Sequence, residues 1–308
     1  MAPIVRTVRG DADPADLGIT LCHEHLAIDV REGFGDPDIY LDNPEYVAED
    51  LREAKRYGLR TVVDVTVVGM RRQPLALLQI AELARLHVLA GAGFYHGDYL
   101  PGYLEGMPAE EIARLIAGEV QVGIEDSGVR AGVIGEVGAS EGGITPGERQ
   151  VFLAAGQAQR QTGAPVITHT DVGKMALEQL DLLEEGGADP TKVLMGHMDC
   201  NLDLTAHLAV AERGAFVGLD RIGGPRYPWD DKRVELVLGL CERGYAGRVI
   251  LSQDMSRQSR LLRNGGTGYG YVLREFVPRL RAAGLDDNLL HLILVENPRH
   301  LLAFEPSG

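Results

Sequence analysis

From residue 18 onward, short runs of β-branched and other apolar residues alternate with longer segments whose apolar positions recur every three or four residues. That rhythm predicts strand–helix units with parallel strands. The predicted strands are 19–22, 61–68, 88–95, 131–137, 165–169, 192–197, 215–219 and 248–254. The second is apolar on both faces, as a strand buried between two layers should be. Helices are predicted over 43–58, 74–85, 108–121, 145–161, 174–185, 202–213, 231–243 and 272–283, with a last one over 288–302. The punctuation agrees, since Pro44 sits in a first turn after Asn43, and Thr145-Pro-Gly-Glu148 is a capping box. Eight such units without a linker or low-complexity stretch predict one α/β domain over residues 1–308. Its expected fold is a single (β/α)8 TIM barrel with the active site at the C-terminal rim of the strands. A doubly wound open sheet is the alternative, but it would want a Gly-rich phosphate turn after an early strand, and the sequence carries none.

Composition narrows the class rather than the fold. With 308 residues, 45% of them hydrophobic, the chain can fill a large core. A net charge of −15 argues against a nucleic-acid surface; it suits either a cation-holding pocket or a solvated acidic exterior. Three cysteines, Cys22, Cys200 and Cys241, form no CxxC pair and no even set, which favours a reducing compartment. The first ten residues lack the apolar stretch of a signal peptide, and no apolar run approaches a membrane span. The expectation is a soluble cytoplasmic protein with a small-molecule substrate and neither nucleic acid nor membrane as partner.

Polar residues at the strand ends carry the chemistry. His23 and His25 leave the first strand, Glu136 ends the fourth, His169 the fifth, His197 the sixth and Asp254 the eighth. Residues two apart on a strand face the same way, so His23 and His25 can grip one ion together. The other histidines fall elsewhere, His96 alone sharing the rim from a loop. Imidazole and carboxylate suit zinc and its neighbours, and a carboxylate can span two ions. One ion would take His23, His25 and Asp254, the other His169 and His197, with Glu136 across both. Two cations would ionise a shared water near neutral pH, and Asp254 would position it and carry its proton to the leaving group.

This constellation resembles the phosphotriesterase family of the amidohydrolase superfamily. The likeness rests on His23-Glu-His25, Ile-Gly-Glu136-Val-Gly, Ile-Thr-His169-Thr, Met-Gly-His197-Met-Asp and Leu-Ser-Gln-Asp254, with Asn264-Gly-Gly-Thr-Gly-Tyr and Glu296-Asn-Pro near the end. It spans about residues 17–304 and is nearest to the phosphotriesterase homology protein subgroup. The resemblance implies two divalent metal ions, zinc first with manganese or cobalt as substitutes, in a distorted barrel; relatives suggest a homodimer. Better-known members bridge their metals with a carboxylated lysine, opposite which an ungapped reading sets Gly135, with Glu136 one residue on. A one-residue shift turns a side chain to the other face, so Glu136 can bridge only if the strand bends or bulges at Gly135.

Tyr95 and Arg221 match substrate-facing positions of lactone-hydrolysing relatives; the plainer alternatives are a packed rim tyrosine and an arginine paired with Asp220 or another carboxylate. Trp229, in Pro225-Arg-Tyr-Pro-Trp-Asp, either lines the pocket or caps apolar surface. Arg257, Arg260 and Arg263 could hold an anionic substrate group, or form a solvated basic segment. Cys22 and Cys200 are read as packing. The function expected is hydrolysis of a lactone or carboxylic ester, with organophosphate triesters as a side activity. An N-acyl amide hydrolase acting on an anionic substrate is the alternative, and a non-catalytic ligand-binding relative a further one.

Overall fold

Eight parallel strands follow one another in chain order around a nearly closed barrel: β1 (Ile19–Glu24), β2 (Leu59–Asp64), β3 (His87–Ala92), β4 (Val133–Gly138), β5 (Val166–His169), β6 (Val193–Met195), β7 (Phe216–Leu219) and β8 (Val249–Leu251). The computed structural model describes residues 2–306 apart from 225 and 227. Pro225 and Tyr227 of the Trp229 loop therefore lie outside the described residues. Helices Pro44–Lys55, Pro74–Ala84, Ala109–Gln121, Pro146–Thr162, Ala176–Glu185, Leu204–Glu212 and Asp230–Glu242 fill the crossovers. Each begins and ends within a few residues of its predicted span. After β8, wider turns at Val272–Phe276 and Leu292–Glu296 are spliced into the last helices. A period read near 3.6 cannot separate those turns from α-helix.

One residue of each strand, Cys22, Val63, Leu89, Val133, Ile167, Leu194, Phe216 and Ile250, joins a fully buried cluster. Val5 of a short N-terminal hairpin (Val5–Thr7 with Gly10–Ala12), Leu17, Val65, and Leu301 and Leu302 of the last helix complete it. Burying each of the larger aliphatic or aromatic chains contributes roughly 1.5–3 kcal/mol relative to exposure. A second apolar cluster lies between the strands and the helices that cover them.

Several strands stop short of their predicted ends. β2 ends at Asp64 rather than at 68, because the Asp64 carboxylate accepts N–H bonds from Leu26 at 2.6 Å and Thr66 at 3.0 Å, drawing the chain out of the ladder. β8 ends at Leu251 rather than at 254: Ser252 N still donates to Leu219 O of β7 at 3.0 Å, and the chain then turns to β1. Among the described residues, no ladder joins β8 to β1. The seam is closed by Asp254 N to His23 O and His25 N to Met255 O, both 3.1 Å, and by Glu24. The buried Glu24 carboxylate accepts the Ser252 hydroxyl (2.9 Å) and the N–H groups of Gln253 (2.7 Å) and Met255 (2.8 Å). Burial raises its pKa to about 7, with those three bonds pulling the other way. Among the described residues, no helix is long and apolar enough to cross a membrane.

Candidate metal centre

At the C-terminal rim the six predicted ligands meet. Donor atoms of His23, His25 and Glu136, of Glu136, His169 and His197, and of His23, His197 and Asp254 form three overlapping groups, each within 4.8 Å. Glu136 belongs to two of them. Its Oε2 lies 3.1 Å from His23 Nε2, 3.1 Å from His169 Nδ1 and 3.5 Å from His197 Nε2, while Oε1 is 3.4 Å from His25 Nε2.

Glu136 reaches the interior because β4 is irregular where the sequence requires it. The β4–β5 register jumps between Ile134 and Val137, and the Gly135–Glu136 peptide is cis. Gly135 sits at φ 119°, where a Cβ would come within 2.0 Å of Ile167 O, so only glycine fits. His197 and Asp254 are turned inward by left-handed backbones, φ 58° and 49°, a conformation costing non-glycine residues roughly 1–2 kcal/mol.

Outer partners fix the rings. His197 Nδ1 donates to Asp220 Oδ1 at 2.7 Å, and His197 N donates to the same carboxylate at 2.9 Å. His23 Nδ1 stands 3.2 Å from Asp220 Oδ2, a charge contact whose angle misses a hydrogen bond. His25 Nδ1 donates to Thr66 Oγ1 at 2.9 Å, and that hydroxyl turns to Asp64 at 3.2 Å. These contacts aim Nε2 of His23, His25 and His197 at the centre, the carboxylate–histidine pattern of metal sites. Asp220 was missed in the sequence, although Gly-Leu-Asp ends β7 just as the other donors end their strands. Below it, Asp199 accepts the Asp220 and Arg221 N–H groups and meets the buried Arg233. Asp220→Asn is expected to weaken metal affinity by about 10–100-fold in chelator competition. An unchanged affinity would make Asp220 mere packing.

The donor set fits cations. His197 Nε2 and His169 Nδ1 approach to 2.9 Å, and four imidazoles crowd one buried carboxylate. Burial opposes charge on His23 and His25, yet Asp220 and Glu136 hold His23 well above the usual imidazole value, and Asp254 and Glu136 lift His25 to about 10. Burial and the neighbouring His197 push His169 down to about 3. Against burial, His23 and His169 keep Glu136 well below the carboxylate range, and Arg221 and His25 do so for Asp254. The cluster thus holds protons where cations would sit, and cation binding must displace them, weakening as pH falls.

Arg221 Nε lies 3.0 Å from Asp254 Oδ2, so its partner is this rim carboxylate rather than Asp220. Tyr95 is buried with its hydroxyl 3.2 Å from His169 Nδ1; burial and then Glu136 raise its pKa, keeping the hydroxyl protonated. Both line a cavity of about 540 Å³ above the cluster. The predicted trio of loop arginines does not act as a unit. Arg257 is tied to Asp36 at 2.5 Å, Arg260 donates to the Gln253, Asp254 and Ile222 carbonyls, and Arg263 stacks over Tyr46. Trp229 precedes the helix Asp230–Glu242, 36% exposed, and is not among the described residues of the cavity wall.

Comparison with known proteins places this geometry in context. A sequence model described as "Phosphotriesterase family" matches residues 3–302. A phosphotriesterase homology protein of Escherichia coli is 37% identical over 281 residues, 91% of this chain and 96% of that one. A human N-acetyltaurine hydrolase is 31% identical over 343 aligned positions, 98% of each chain. The crystal structure of a lactonase from Listeria monocytogenes superposes with a TM-score of 0.93 at 28% identity, covering 98% of this chain and 99% of that one.

Proposed function

The chain belongs to the phosphotriesterase family, a family of hydrolases, and on that premise we propose that it is a binuclear, zinc-type enzyme opening a small lactone or carboxylic ester, with organophosphate triesters as a side activity. The observation that carries this reading is the convergence of four imidazoles and Asp254 around Glu136 beneath a cavity large enough for a small ester. In this proposal His23, His25, Glu136, His169, His197 and Asp254 hold the ions.

When bound, the cations supply Lewis acidity, polarising the scissile carbonyl and acidifying water. The chain's own groups do the rest. Asp254, its second oxygen held by Arg221, takes the proton from the attacking water and returns it to the leaving oxygen. The Tyr95 hydroxyl stays protonated and can donate to an oxygen that gains charge during attack. Arg221 sets the orientation of Asp254 and borders the substrate.

N-acyl amide hydrolysis is the second reading. It is favoured by likeness to the N-acetyltaurine hydrolases and by Arg260, buried at the cavity wall and bonded only to carbonyl oxygens among the described residues. A positive end of this kind suits an anionic tail. We also propose a cytoplasmic location and a homodimer. Purified protein reconstituted with zinc, manganese or cobalt is expected to turn over lactones or aryl esters at least tenfold faster, by kcat/KM, than N-acyl amino acids and paraoxon-type triesters. Preference for the acyl amino acids would move the assignment to the amidase reading, and a panel without turnover would refute both.

A further inference from the structure

Arg221 sets Asp254, yet Arg221 itself rides on an irregular loop after β7, beyond the last paired residue of that strand, Leu219. Three successive residues of this loop are pinned through their backbones. Arg221 N donates to Asp199 Oδ2 at 3.1 Å, Ile222 O accepts Arg260 Nη2 at 3.4 Å, and Gly223 N donates to Asp230 Oδ1 at 3.2 Å. With its other oxygen Asp199 takes Asp220 N at 3.3 Å. Gly223, at φ 69°, lies against the Tyr271 ring, where a Cβ would come within 2.5 Å, and the Tyr271 hydroxyl donates to Asp230 Oδ2 at 2.9 Å.

One side chain grips both carboxylates. Arg233, fully buried and early in the helix Asp230–Glu242, donates through Nε to Asp199 Oδ2 and through Nη1 to Asp230 Oδ1 at 2.8 Å. The oxygens it holds are the same two that accept Arg221 N and Gly223 N. A guanidinium is planar with its N–H groups in a fixed fork, so it sets the two carboxylates relative to each other. Asp199 belongs to the turn after β6, beside His197, and Asp230 opens the helix after β7, so the fork ties two neighbouring crossovers together. Such a buried ion triad adds little net stability over a well-packed apolar side chain. A misplacement of about 1 Å at a catalytic group, by contrast, can cost about 100-fold in rate. The fork is better explained by what it places than by what it stabilises.

We propose that Arg233 is a positioning residue: through Asp199 and Asp230 it fixes the 221–223 backbone, and so the approach of Arg221 to Asp254. This rests on the hydrolase reading above and adds to it a residue remote from the substrate. A double-variant cycle at full metal loading tests it. Arg233→Met and Arg221→Met are each expected to lower kcat/KM on the best panel substrate by at least about tenfold, and the double variant by no more than about twice the larger single loss. A role in packing alone would make the two losses multiply. Arg233→Lys keeps the buried charge without the fork; it replaces the methionine variant if that one does not fold, with the same coupling expected. Multiplying losses, or either single variant within twofold of wild type, overturn the proposal. A wild type that turns over nothing in the ester and amide panel sinks the hydrolase reading by itself. The cycle is then read as the affinity of the metal-loaded protein for inorganic phosphate, with losses of the same size and coupling expected. Independent effects on that affinity, or no phosphate bound by the wild type, overturn the positioning role.

Discussion

Asp254→Asn is expected to lower kcat by about 10²–10⁴-fold while most of the bound metal stays in place. Asparagine keeps one oxygen toward the cluster and nearly the same volume, so the cost falls on proton transfer rather than on packing. Asp254 is suited to that transfer because its two oxygens do different things: Oδ1 lies 3.3 Å from His25 Nε2, and Oδ2 lies 3.0 Å from Arg221 Nε. A carboxylate so placed stays ionised and ready to accept a proton, whereas an amide cannot. Metal content by inductively coupled plasma spectrometry, set beside kcat on the best panel substrate, separates the two effects. A variant within threefold of wild-type kcat would remove Asp254 from the chemistry.

Glu136→Gln is expected to have the larger effect on the metal. The glutamate lies at the junction of two donor groups, 2% exposed, with imidazole nitrogens on both of its oxygens. Replacing it leaves four histidines around a neutral amide, with the negative charge at the centre of the donor set gone. Affinity should fall by more than the roughly 10–100-fold typical of an outer-partner loss. Equilibrium dialysis should find at least one metal equivalent fewer per chain, and turnover should drop with it. Full loading at wild-type affinity would show that the carboxylate does not bridge.

The alternation of strand and helix was legible in the sequence because each crossover carries its own signal, such as the Thr145–Glu148 capping box. The donors were legible because they sit at strand ends, where a polar residue after an apolar run stands out. What stayed hidden was set by contacts across the barrel. Asp64 reads as a polar residue within an apolar strand, and only the fold shows it gathering the backbone of the β1 loop. Glu24 reads as a spacer between two histidines, and only the curvature of the sheet brings it against β8. The inward turn of Glu136 was foreseeable as a requirement, and so was its place, since the register jump falls at Gly135 where the sequence called for a bend or bulge. Arg257 and Arg260 read as one basic grip, but Asp36 competes for Arg257, and Arg260 stays at the cavity wall by donating to the Gln253, Asp254 and Ile222 carbonyls. A one-dimensional reading cannot foresee such competition.

The meeting of β1 and β8 has a consequence for how occupancy and folding are linked. His23 and His25 stand on one bank of this unladdered gap and Asp254 on the other, so an ion held by both banks acts as a clasp on the staves. Any free energy of capture then counts toward keeping the ring shut. The hydrogen bonds that Glu24 spreads across the same gap keep the two banks in register before an ion arrives. The place where the wall is thinnest is thus also where catalysis and cohesion draw on the same contacts.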